Sequence, residues 1–148
     1  MVGLFNKNKP QQKLRKFIKE KKYAEALKYS VNLEKDEKYR NDTDIAFIIG
    51  TIHFLKGDIQ KTLSYMNKVL EIAEYDVDAL VLKASILADM KNKKGVMECC
   101  DKIKEIDPKN TTMQKILYQF NELQKLMLIS PLVAKFFFEK VFCNFIRF

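Results

Sequence analysis

Tryptophan is absent from the 148 residues and histidine occurs once, as His53. One imidazole can supply only one ligand, so a histidine-based metal centre is not expected. A serine or cysteine nucleophile would have only this one histidine as its base, and no Ser/His/Asp set can be placed around it. The four glycines, Gly3, Gly50, Gly57 and Gly95, are scattered, whereas a phosphate-cradling loop needs several within one turn. The three cysteines, Cys99, Cys100 and Cys143, are odd in number and lack C-x-x-C spacing, which argues against a disulfide framework. Neighbouring helical residues point about 100° apart, so Cys99 and Cys100 are expected to be reduced thiols of a cytoplasmic protein. Of this pair, Cys99 is expected to be the more exposed. The opening Met-Val-Gly-Leu-Phe-Asn-Lys has no apolar run of signal-peptide length and no glycine at position 2 for myristoylation, so export or lipidation by those routes is not expected. Few glycines, three prolines and no β-branched alternation leave an all-α chain.

Hydrophobic residues make up 47% of the chain, enough for a core, and the net charge is +8. That charge is local. Residues 1–28 carry nine Lys or Arg against two Glu, and the remaining 18 basic and 17 acidic residues nearly cancel. A basic end on a neutral body fits an acidic contact at that end or a solvated first hairpin.

One unit is written more than once. Asp42-Thr43-Asp44 recurs as Asp76-Val77-Asp78 and as Asn110-Thr111-Thr112, each 34 residues on. Gly50 then aligns with Ala84, Thr62 with Val96, Met66 with Cys100 and Val69 with Ile103. Apolar residues keep helical spacing on both sides of Gly57, which tolerates a left-handed turn. The return helices are expected to turn Leu63, Met66, Val69, Leu70 and Ala73 inward, then Val96, Met97, Cys100, Ile103 and Ile106. Pro108 closes the second return helix because proline lacks the N–H that a helix needs. Asp42, Asp44, Asp76 and Asp78 stand where carboxylates accept free N–H groups and oppose the dipole, so capping accounts for them better than acid–base chemistry. An earlier copy runs from about Lys7 to Asp36, with its spacing slipped by two residues in the link Asp36 to Asn41. The organisation expected is a tail over 1–9, three hairpins over about 10–36, 43–76 and 77–110, a capping helix over 111–129 and an apolar helix over 130–148.

The 34-residue period, with a small residue at Gly50 and Ala84 and a proline at Pro108, resembles the tetratricopeptide repeat (TPR) family in a degenerate form without its tryptophan. The resemblance covers roughly Lys7 to Asn110. It implies an α-solenoid of antiparallel helix hairpins in a right-handed superhelix, closed by a C-terminal capping helix. Tyr118 falls on the small-residue position, so a further close hairpin crossing is not expected. His53 falls on an aromatic position of the repeat and is expected to be structural. In this family the first helices line a concave groove that holds a peptide or a helix. Carried over, the groove would show Asp44, Phe47, Thr51, Phe54 and Leu55 from one repeat. Asp78, Val81, Ser85, Ala88 and Asp89 would come from the next, with Arg15, Ile18 and Lys19 from the first copy. The Lys and Asn clamp of chaperone-binding members is not carried over, because Phe47, Thr51, Val81 and Ser85 stand there.

Six of the eleven phenylalanines lie in residues 131–148, beginning after Ser130-Pro131. A membrane span needs about 20 apolar residues, and Lys135, Glu139 and Lys140 interrupt this one. The tail is therefore expected to pack on the cap or the groove, or to self-associate, with membrane contact possible but not favoured.

The function expected is a non-catalytic protein-interaction module or scaffold for a peptide or protein partner, with no cofactor, metal or catalytic residue. The first alternative is a membrane-tethered adaptor held by the C-terminal segment, similar in outline to the mitochondrial fission adaptor family. The second is an RNA-contacting helical repeat using Lys13, Arg15, Lys16, Lys19, Lys21, Lys22 and Lys28, although few aromatics interleave there for base stacking and nucleic acid is not the expected partner.

Overall fold

The computed structural model describes residues 9–129, so the phenylalanine-rich tail and the expectations attached to it lie outside the described residues. Among the described residues the fold is all-α, with α1 Pro10–Lys19, α2 Tyr23–Lys35, α3 Thr43–Leu55, α4 Ile59–Ile72, α5 Val77–Asp89, α6 Lys93–Ile106 and α7 Thr111–Ile129.

The 34-residue spacing is repeated in individual hydrogen bonds. Asp42 Oδ1 accepts the Ile45 N–H, Asp76 Oδ1 the Ala79 N–H and Asn110 Oδ1 the Met113 N–H, each at 2.9 Å, so three helices start with the same cap. The return helices agree as well: Asp58 Oδ1 accepts the Lys61 N–H at 3.1 Å and Asn92 Oδ1 the Gly95 N–H at 3.0 Å. Between the paired helices the chain passes through the left-handed region at Lys21 (φ 56°), Gly57 (φ 79°) and Lys91 (φ 59°). Each turn is closed by the N–H of the next residue donating to the carbonyl five positions back: Lys22 to Phe17, Asp58 to His53 and Asn92 to Leu87, at 2.9, 2.9 and 2.8 Å. The first turn stands two residues out of step because the link after α2 runs from 36 to 42, longer than the links 73–76 and 107–110.

Contacts group the chain into two compact units, Met1–Ala79 and Leu80–Phe148. In the first, Leu14, Ala26, Leu33, Ile45, Ile48, Ile49 and Ile52 form one buried cluster, bordered by Phe17, Ile18, Tyr23, Leu27, Tyr29, Tyr39 and Tyr65. Proline at the first position of α1 presets the backbone and loses no bond there. Gly50 is the close crossing of α3 and α4, since a Cβ on it would lie 2.5 Å from Met66 Cε and 2.9 Å from Tyr65 Cβ. Two side-chain bonds join the hairpins: Tyr65 Oη donates to Glu34 Oε1 at 2.8 Å, and Gln11 Nε2 donates to Asp42 Oδ2 at 3.0 Å.

In the second unit Leu80, Ala84, Ile86, Leu87, Val96, Cys99, Cys100, Ile103, Met113, Ile116 and Phe120 are buried. Its close contact is at Gly95, where a Cβ would come within 2.7 Å of Leu87 Cδ1. Tyr118, 34 residues after Ala84, is 69% exposed.

The inward face of the return helices differs from the sequence expectation. Thr62, Met66 and Val69 on α4 are fully covered, as are Val96, Cys100 and Ile103 on α6, while Met97, Ile72 and Ile106 are exposed. Cys99, expected to be more exposed than Cys100, is buried as well. At 100° per residue, 96, 99, 100 and 103 form one stripe; Met97 falls about 100° from Val96 and Ile106 lies at its edge, in the last turn. Leu63, Leu70 and Ala73 are half-buried, and Ala73 is the C-cap of α4.

Candidate functional site

The TPR resemblance implies a binding face on the first helix of each hairpin, and the structure sorts those residues by access. On α1, Leu14 is buried in the hairpin, which leaves Ile18 half-buried and turns Arg15 and Lys19 to solvent. On α3 the run from Ile48 to Phe54 is buried on every side, as a helix apolar all round must be. Thr51 is therefore only 2% exposed and its hydroxyl donates to the Phe47 carbonyl at 3.0 Å. Phe54 is buried too, so the accessible part of α3 comes down to the exposed Asp44 and the half-buried Phe47 and Leu55. On α5, Asp78 is exposed in the first turn, while Val81, Ser85, Ala88 and Asp89 are half-buried. Ser85 repeats the bond of Thr51, its hydroxyl donating to the Val81 carbonyl at 2.9 Å.

These faces combine apolar patches with charge at their edges. Burial pushes the Asp89 carboxyl up to about 7. The α1 edge is basic and α1 itself has no acidic residue. Glu20, just after it, is shared by Lys22 at 2.9 Å and Lys16 at 3.8 Å. Lys13 Nζ sits 4.2 Å from the centre of the Tyr29 ring, which in turn lies tilted against Phe17 at 6.3 Å.

The reactive residue types are packed. His53 is stacked on Tyr65 with ring centres 5.5 Å apart, and Nδ1 lies 3.8 Å from Asp58 Oδ2. Burial lowers its pKa, as does Lys61 to a smaller extent, while Asp58 opposes them. Burial pushes the Cys99 thiol up and takes Cys100 to about 11, so neither is a thiolate at neutral pH. Among the described residues no group of three or more His, Cys, Asp or Glu comes together as a metal ion would need, and no helix is long and apolar enough to cross a membrane.

Sequence reasoning missed the line Lys68–Glu34–Tyr65–His53, in which Glu34 takes the tyrosine proton donor and stands 3.7 Å from Lys68. Its partners are 31 residues apart on α2 and α4, and no local pattern marks such a pair. The sequence left open that Phe47 and Phe54 are inter-repeat core, and Phe54 is buried; the near-continuous apolar run Ile45 to Leu55 was the available signal that Thr51 would be core too. No protein-family model matches the chain, and no curated protein matches it.

Proposed function

We propose that this chain is a non-catalytic protein-interaction module of TPR-like architecture. In this reading the hairpins α1–α2, α3–α4 and α5–α6 stack as a right-handed α-solenoid, α7 caps the last of them, and the first helices hold a peptide or helix of a partner. One observation carries it: the cap at Asp42, Asp76 and Asn110 recurs at 34-residue intervals with the same partner position and the same 2.9 Å length. A period of that length in a helix–turn–helix unit is the signature of repeats that stack and present one face. Supporting the absence of catalysis are the protonated thiols and a histidine held flat against a tyrosine. Buried thiols left adjacent and unpaired suit a cytoplasmic chain.

The accessible binding residues of this reading are Arg15, Ile18, Lys19, Asp44, Phe47, Leu55, Asp78, Val81, Ser85, Ala88 and Asp89. Its test is affinity for a captured partner in Phe47→Ala and Val81→Arg variants against Asn67→Ala and Asp101→Ala on the return helices. The first pair should weaken binding by more than any fall in their melting temperature explains, and the second should not. Equal effects from both pairs would remove the first-helix face from the account.

A membrane-tethered adaptor is the second reading, carried by the phenylalanine content of residues 131–148. Fractionating cells that make the chain with and without those residues separates the two. The interaction module stays in the soluble fraction in both forms, whereas the adaptor leaves the membrane fraction only on truncation.

A further inference from the structure

The face of α1 that points to water carries Lys13, Arg15, Lys16 and Lys19 in ten residues without one acid, and Glu20, just past its end, reaches only Lys16 of the four, at 3.8 Å. At 100° per residue these four fall within one side of the helix, opposite Leu14, and steps of three and four residues put their stems about 5–6 Å apart. Lysines in the last turn are expected where they oppose the helix dipole, which accounts for Lys16 and Lys19. It does not account for Lys13 and Arg15 further up.

We propose that this face docks an acidic helical segment of a partner protein, one with Asp or Glu at three- and four-residue steps. The inference rests on the interaction-module reading and names the chemistry of its partner. Complementary spacing is the first argument, since side chains at those steps line one side of any helix laid along α1. The packing of α1 speaks against two other modes, stacking of single-stranded bases and insertion of a membrane-surface helix. Single-stranded nucleic acid needs open rings to stack on, but Phe17 and Tyr29 lie against each other and Lys13 covers Tyr29. A membrane-surface helix needs a free apolar side, but Leu14, Phe17 and Ile18 are committed to the hairpin core.

The experiment titrates the full chain with four probes: a soluble Glu/Leu helical peptide, the same peptide with Gln for Glu, an RNA hairpin with a single-stranded loop, and vesicles of phosphatidylcholine with phosphatidylserine. The double variant Arg15→Glu/Lys19→Glu is carried alongside, with its helicity and melting measured. The expected result is binding of the Glu peptide that falls as salt rises from about 0.05 to 0.5 M. The double variant should lower its affinity about tenfold, the size of two exposed ion pairs. Tighter binding of the RNA or the vesicles than of the Glu peptide overturns the proposal. Equal binding of both peptides, unchanged by the double variant, also overturns it while leaving the first-helix groove in place. Binding of neither peptide counts against both. If the double variant fails to fold, Lys13→Gln/Lys16→Gln gives the same readout without charge reversal.

Discussion

Gly57 and Lys91 stand 34 residues apart at the same point of the same turn, both in the left-handed region, at φ 79° and φ 59°. The residue after each donates its N–H to the carbonyl five positions back, at 2.9 and 2.8 Å. Two side chains as unlike as hydrogen and an aminobutyl group share one backbone because the closing bond and the capped helix after it leave the chain no other path.

The backbone cost should show when the two are exchanged. Lys91→Gly relieves a conformation that L side chains resist and should stabilise the chain by about 1 kcal/mol, raising its melting temperature by a few degrees. Gly57→Ala meets no neighbour, so it should destabilise through φ alone and by a similar amount. Thermal melts of both variants are the check, and opposite signs are the expected outcome.

The close crossings should respond unequally to one added methyl. At Gly50 the new Cβ runs into Tyr65 Cβ, an atom next to the backbone that cannot swing away, whereas at Gly95 it meets the far end of Leu87. Alanine gains about 1 kcal/mol of helix propensity at either place. Overpacking of about 1–3 kcal/mol should outweigh it at Gly50 and be mostly relieved at Gly95. Chemical denaturation should rank Gly50→Ala well below Gly95→Ala in stability.

Removing a cap should cost about the same at each repeat. Asp42→Ala, Asp76→Ala and Asn110→Ala each free one N–H, for about 1 kcal/mol. Asp42 also accepts from Gln11, so its loss should be the largest of the three in equilibrium unfolding.

Much of the fold is legible in the sequence where the chemistry is local. Asp42, Asp76 and Asn110 are cap residues in any setting, Gly57 permits the left-handed turn, and Pro108 stops a helix. The side each helix buries was less legible. Met97 and Cys99 are both apolar enough for a core, and only the neighbouring helices decide that the thiol goes in and the thioether out. The candidate face was half legible for the same reason. Repeat register placed Arg15, Lys19, Asp44 and Asp78 where solvent reaches them. It could not tell that Thr51, a polar residue, would satisfy its hydroxyl on its own helix and be buried.

Two groups should give the stability opposite pH trends. Burial lowers the pKa of His53 in the folded chain below its ordinary 6.5, so the unfolded chain takes the proton more readily. Its contribution is full above 6.5 and is lost as pH falls below that value. Asp89 does the reverse: raised from 3.8 to about 7, it contributes fully below 3.8 and loses that contribution as pH rises to about 7. Asp89→Asn should therefore stabilise at neutral pH, by on the order of 1–3 kcal/mol, with little effect in acid. His53→Phe should flatten the loss on acidification while keeping the ring contact with Tyr65. Urea titrations at about pH 5 and about pH 7.5 separate the two.

The central claim is that the first helices hold a protein partner, and site-specific photocrosslinking tests it most directly. A photoreactive phenylalanine analogue placed at Phe47, Val81 or Lys19 is compared with the same analogue at Asn67, Glu98 or Asp101 on the return helices, all in cells that make the chain. Adducts are mapped by peptide mass spectrometry. The account predicts that the first three positions capture a common partner segment, acidic where it meets Lys19, and that the last three do not. Capture of that segment from the return helices, with none from Phe47 or Val81, would contradict it.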